Sequence, residues 1–225
     1  MTCPPIAWMM LREEKSMIKL IAPLQRRDDM TSEQFSEHWL TKHAPLVVKL
    51  PGLRRYVQNV VFRGRSGYDG VSATWWDDEE SLQTALESPL MAEIREDKQR
   101  FSVSDLRLTL RERPMLDLDV TGRETIKFVG LLKRREDFTP EQFTEHWIGM
   151  HGAMALELSG IRRYVQNAVI GGNSGYDGVA EMWWDDVASM KSAFEAPIGA
   201  ELAVDEKRFL CEVIGMLVVE RPILH

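Results

Sequence analysis

The chain has 225 residues, with 28 basic against 35 acidic side chains and a net charge of −7. Its 44% hydrophobic and 28% charged content is ordinary globular usage and argues against disorder as a whole-chain description. The acidic balance excludes a broad phosphate-binding surface, so no nucleic-acid partner is expected. No apolar run approaches the roughly 18–20 residues of a membrane span, so no membrane partner is expected either.

Residues 1–16 read as an untargeted tail. Their apolar stretch is shorter than a secretory core and lacks a basic segment before it, and Met17 stands directly before the first strand pattern. The two cysteines, Cys3 and Cys211, have no metal-type spacing, and a reduced cytoplasmic protein is the simplest expectation. Residues 17–24 form a strand-length apolar run. Residues 31–50 form a helix that starts with a capping box, Thr31 and Gln34, flanked by the staple pair Met30 and Phe35. Phe35, Trp39, His43, Val47 and Leu50 share one face, and Pro51-Gly52 ends the helix. Residues 53–62 and 71–76 read as a hairpin around a glycine-rich turn. Asp77 or Asp78 caps a second helix bearing Leu82, Ala85, Leu86 and Ile94, interrupted at Ser88-Pro89. Residues 104–113 close the unit as a fourth strand.

The pattern then repeats. RRYVQN occurs at Arg54–Asn59 and Arg162–Asn167, SGYDGV at Ser66–Val71 and Ser174–Val179, and WWDD at Trp75–Asp78 and Trp183–Asp186. All are offset by 108 positions, and residues 18–114 align with 126–222 without a gap, with roughly half the positions identical. The chain is therefore a tandem duplication: a tail (1–16), a first domain (17–114), a linker (115–125) and a second domain (126–225). Each βαββαβ unit makes an antiparallel sheet with both helices on one face. The bare faces need cover, and two independent beads would each expose a large apolar patch. The expected fold class is α+β: two ferredoxin-like domains packing sheet to sheet about a pseudo-two-fold axis within one chain.

The strings MIKLIAPLQRR, EQFSEHWLTKHAPLVVKLPGLRRYVQN and GYDGVSATWWDD resemble the EthD-type domain, in two copies that cover nearly all of the chain outside tail and linker. The resemblance implies a dimeric α+β barrel, with the duplication supplying both halves as an intrachain pseudo-dimer. Further homodimer formation stays open. Relatives of this kind include cofactor-free monooxygenases, isomerases, decarboxylases and dehydratases, so the fold alone weakly constrains the reaction.

His43 matches the histidine of the family's H-A-P string and lies on the apolar stripe before Pro45, where burial suits it to general-base work. Its mate His151 is followed by Gly152-Ala153, so the two sites are not expected to be equivalent. Tyr56 and Tyr164 are candidate hydrogen-bond donors to a bound oxygen. Alternation on the strand sets Tyr56 and Gln58 on one face, with Arg55, Val57 and Asn59 on the other. Arg55, Asn59 and Asn167 are candidates to hold an anionic enolate. Trp39, Trp75, Trp147 and Trp183 are candidate aromatic walls, with core packing as the alternative role. Glu181 occupies a position where the family commonly carries glutamate and is expected beside His151; Ala73 replaces it in the first half. His38 and His146 are five residues from His43 and His151, which is not the i,i+4 spacing of paired ligands on an α-helix, and no metal site is expected. The expected function is an enzyme that acts on a small apolar or aromatic molecule without a bound cofactor, by oxidoreductase, isomerase or decarboxylase-type chemistry. The alternative is a non-catalytic module that sequesters a small molecule. A haem protein is a third reading, for which no residue uniquely fixes an axial ligand.

Overall fold

The computed structural model describes residues 17–64, 66–120 and 122–225, so the expected tail falls outside it. The first repeat runs β1 (Ile18–Leu24), α1 (Ser32–His38), a π-helical turn (Trp39–His43), α2 (Ala44–Val47), β2 (Arg55–Gly64), β3 (Gly70–Trp76), α3 (Glu79–Glu87), α4 (Leu90–Phe101) and β4 (Leu108–Asp117). The second runs β5 (Ile126–Arg134), α5 (Pro140–His146), a π-helical turn (Trp147–His151), α6 (Gly152–Ala155), β6 (Arg163–Gly172), β7 (Gly178–Trp184), α7 (Val187–Glu195), α8 (Pro197–Phe209) and β8 (Leu210–Leu224). Both capping boxes form: Thr31 and Thr139 accept from the backbone of Gln34 and Gln142, whose side chains reach back to the cap. Asp78 and Asp186 cap α3 and α7. A positive φ at Gly52 and Gly160 ends each first helical segment.

The strands close into one barrel in the order β1-β3-β2-β8-β5-β7-β6-β4, all neighbours antiparallel. Each half contributes a four-stranded sheet, and the halves join along β2·β8 and β4·β6. Closure leaves no sheet edge to manage. It also extends two strands beyond the sequence reading. Strand β4 runs on through Asp117 and pairs with β6, so the first residues of the expected linker belong to the barrel. Strand β8 reaches Leu224 because its second half pairs with β2.

The period-2 pattern sorts the side chains into two environments. Val57, Ala73, Trp75, Leu110, Val129, Val179, Met216 and Val218 fill the barrel interior from both halves. Tyr56, Trp76, Tyr164 and Trp184 point outward under the helices. The two tryptophans of each WWDD string therefore serve opposite faces. Among the described residues no helix is long and apolar enough to cross a membrane.

Candidate active site

The two π-helical turns organise the site. A π turn advances five residues, so His38 and His43 come round onto one side, as do His146 and His151. Both histidines of each pair meet one aspartate from the last helix of the same half. His38 Nε2 and His43 Nδ1 lie 3.0 and 2.9 Å from the two carboxylate oxygens of Asp97. His146 Nε2 and His151 Nδ1 lie 3.0 Å from Asp205. The i,i+5 spacing that argued against a shared face on an α-helix is what a π turn requires. His38 and His146 are thus partners of the site. Asp97 and Asp205 were not among the sequence candidates. Their signal was present: each interrupts a buried apolar stripe, Ile94-Asp97-Phe101 and Leu202-Asp205-Phe209, at the same place in both repeats.

Proline does not make the turn. The second half forms the same π segment with Ala153 where the first has Pro45. The shared feature is a side-chain amide: Gln58 Nε2 donates to the Trp39 carbonyl at 2.9 Å, and Gln166 Nε2 to the Trp147 carbonyl at 2.8 Å. The same amides also donate to the hydroxyls of Tyr56 and Tyr164. Trp39 Nε1 adds a second bond to the Tyr56 hydroxyl at 3.0 Å. The YVQN string on the strand therefore pins the H-x4-H segment on the helix. The indoles of Trp39 and Trp147 lie so close to Gly70 and Gly178 that an added Cβ would fall 2.5–2.6 Å from the ring.

The tautomers follow from chemistry. An ionised carboxylate only accepts, so Asp97 and Asp205 draw the proton of each critical histidine to Nδ1. Nε2 is left as a lone-pair base, and among the described residues no protein group occupies it. Burial pushes both His43 and His151 below the usual histidine range, against the opposing pull of their aspartates. Asp205 is held low: burial raises it, and the bonds from His146 and His151 outweigh that.

Each of these histidines faces a cavity between its helices and its sheet. The first, about 730 Å³, is walled by His43, Ser72, Thr74, Trp76, Met91 and Lys98, among others. The second, about 410 Å³, is walled by Trp147, His151, Tyr164, Met182, Phe194 and Glu206, among others. Both volumes suit a small organic ligand. His151, Tyr164 and Trp147 thus converge on one cavity. The lining of the first includes His43 but not Tyr56 or Trp39, whose hydroxyl and indole bond each other. Burial raises the pKa of both tyrosines, so both hydroxyls stay protonated.

The other expected site residues sit on the far side of the sheet. Arg55, Asn59, Trp75, Asn167, Glu181 and Trp183 face the barrel interior, because strand alternation separates them from the helix face. Glu181 is not beside His151. It lies between the two lysines that open β1 and β5, accepting from Lys19 and, at 2.6 Å, from Lys127. Lys19 also reaches Glu112 at 3.0 Å and Asn167 at 3.4 Å; Lys127 reaches Glu220 at 3.2 Å and Asn59 at 3.0 Å. Each lysine therefore bonds the asparagine of the opposite half. Trp75 and Trp183 donate to Glu112 and Glu220, and Arg55 and Arg163 lie over their rings. The lysines hold Glu181 far below the carboxylate range against the opposing effect of burial. Lys19 is raised, since Glu181 and Glu112 outweigh its desolvation. This cluster welds the halves and touches neither cavity histidine.

A barrel of two ferredoxin-like halves with a helix–sheet cavity in each defines a dimeric α+β barrel protein, here built from a single chain. The sequence profile of the EthD domain matches residues 27–105 and again 135–211. The chain belongs to the EthD domain family and carries two copies of the domain.

Solved structures share the fold. An anthrone oxidase-like protein superposes with a TM-score of 0.71 at 11% identity, covering 94% of each chain. A candidate monooxygenase from Fusobacterium nucleatum gives 0.64 at 8% identity, covering 92% of this chain and 94% of its own. A variant of the chlorite dismutase of Candidatus Nitrospira defluvii gives 0.59 at 13% identity, covering 92% of each. No curated protein matches the chain.

Proposed function

We propose that the protein is an enzyme of oxidoreductase or related type that begins its reaction by taking a proton from a small apolar or aromatic molecule. One observation carries this reading: a histidine bonded through Nδ1 to a buried aspartate and lining a cavity, in each half. In this reading a C–H or O–H bond of the ligand breaks, the proton goes to Nε2, and the electron pair stays on the ligand. Asp97 or Asp205 stabilises the imidazolium that forms. The resulting carbanion or phenolate can be reprotonated at another atom, which completes an isomerisation, or pass electrons to dioxygen. The monooxygenase and anthrone oxidase-like names among the structural relatives favour the last outcome.

The test is turnover on the true substrate by His43→Gln, His151→Gln and the double variant. The half that does the chemistry should lose about 10²–10⁴-fold in kcat when its histidine is replaced. Full turnover in the double variant would overturn the assignment. A second reading, a module that sequesters its ligand, draws support from the first cavity. There the lining holds His43 without Tyr56, whose hydroxyl accepts from Trp39 and Gln58. That reading expects ligand binding to survive in the double variant and no product to form with the wild type.

A further inference from the structure

The two cavities share a scaffold and differ in chemistry. Ser72 and Thr74 on the first wall correspond to Ala180 and Met182 on the second. Leu20 corresponds to Phe128, and Lys98 to Glu206. The charge of the helix residue that follows each aspartate is thereby reversed.

We propose that the first cavity binds a small organic anion, its carboxylate or enolate oxygens held at Lys98, while the second binds an uncharged apolar or aromatic molecule. The proposal rests on the reading that these cavities are ligand sites. Lys98 is four-fifths withdrawn from solvent on the cavity wall. Among the described residues its one carboxylate partner within 4 Å is Asp105, itself on the cavity wall, 3.9 Å away with its side chain 85% exposed. An exposed pair at that distance contributes little, so the ammonium is only weakly compensated. Arg107, on the same wall, adds a second cation to the mouth, and Arg95 a third. A ligand anion would supply the missing countercharge at a site partly withdrawn from water, where a charge-assisted pair is stronger than in bulk solvent.

The second cavity has one lining cation, the exposed Arg63, set against one acid, Glu206. Its wall is Phe128, Met182, Met190, Phe194 and Leu202, with Glu206 as the acidic group. Burial raises the Glu206 carboxyl, and a carboxylate there would repel an anion. Thioethers and aromatic edges suit the face of a neutral ring.

Benzoate and benzyl alcohol are the probes: similar aromatic rings, one charged and one neutral. Each is titrated into the full chain by calorimetry, with histidine imidazole signals followed by NMR. Benzoate should shift the His43 signal first and benzyl alcohol the His151 signal first. Lys98→Gln should weaken benzoate by about tenfold or more and leave benzyl alcohol unchanged, and Lys98→Met should do the same. Added salt should weaken benzoate alone. Unchanged benzoate affinity in both variants overturns the proposal, as does a first response at His151 or no benzoate binding at millimolar concentration. The outcome is separate from that of the turnover test. If the double histidine variant keeps full activity while benzoate still depends on Lys98, the proton-transfer reading fails and the anion site stands.

Discussion

In the first half the wall around His43 is Ser72, Thr74 and Lys98; in the second the same positions around His151 are Ala180, Met182 and Glu206. Behind those walls the halves share the bonds that set the histidines: two histidines on one aspartate, and one glutamine amide on one tryptophan carbonyl. The duplication has kept the device that aims the base and has varied what the base would meet. The barrel interior shows the opposite balance. There the paired residues are symmetric, Lys19 with Lys127, Asn59 with Asn167 and Glu112 with Glu220, and the exception is Glu181 opposite Ala73. A single carboxylate near the pseudo-dyad serves both lysines. A second at position 73 would crowd four carboxylates around two ammonium groups. That asymmetry is possible only because the halves are fused, since a barrel of two identical halves would carry either no such glutamate or two.

The largest effect should come from breaking that exception. Glu181→Ala leaves two buried lysines short of a partner and should cost about 3–5 kcal/mol in denaturant unfolding. Moving the carboxylate across the axis, with Ala73→Glu added to Glu181→Ala, should recover most of the loss. If it does not, the two positions are not related as the pseudo-symmetry implies. Next in size are the glycines under the indoles. Gly70→Ala and Gly178→Ala each force a methyl into a tryptophan ring and should cost about 1–3 kcal/mol. Equal losses would show that both halves hold the π turn equally tightly.

The amides offer a finer comparison. Gln58 Oε1 accepts from Arg221 at 3.3 Å, whereas the buried Gln166 Oε1 has no partner. Gln58→Leu should therefore cost more than Gln166→Leu, by about 1 kcal/mol in thermal or denaturant unfolding. Equal costs would mean that the Arg221 bond contributes nothing.

Much of this was legible in the sequence, because the signals were local or repeated. Capping boxes, strand alternation and the 108-residue offset gave the elements, the duplication and the pseudo-dimer. Alternation also placed Tyr56 and Asn59 on opposite faces of their strand. What could not be read was long-range. Nothing local says that β4 continues to Asp117, because its second half is held by β6 and not by its own sheet. The His38–His43 relation is not local either, because its geometry depends on a π turn held in place by a glutamine on a distant strand. The place of Glu181 follows strand parity and not the position the family resemblance suggests. Glu181 and Val179 share a face, and Val179 lines the barrel interior.

The smallest expected effect tests the cavities directly. His43 and His151 both sit below the ordinary histidine range through burial, and at His43 the charge of Lys98 pushes further in the same direction. Below an unfolded-state pKa of about 6.5 the unfolded chain binds more protons than the folded one. Each histidine therefore costs stability as pH falls through that range and has no effect well above it. For activity the sign is the same, since a protonated Nε2 cannot act as a base. Lys98→Gln removes a cation that disfavours the imidazolium, so the His43 titration should move up toward the ordinary range. No lysine or arginine adds to the shift of His151, so its titration should stay where it is. Imidazole NMR across the acid limb reads both in one sample. A shift of both histidines, or of neither, would mean that Lys98 does not act on the first cavity as its position on the wall requires.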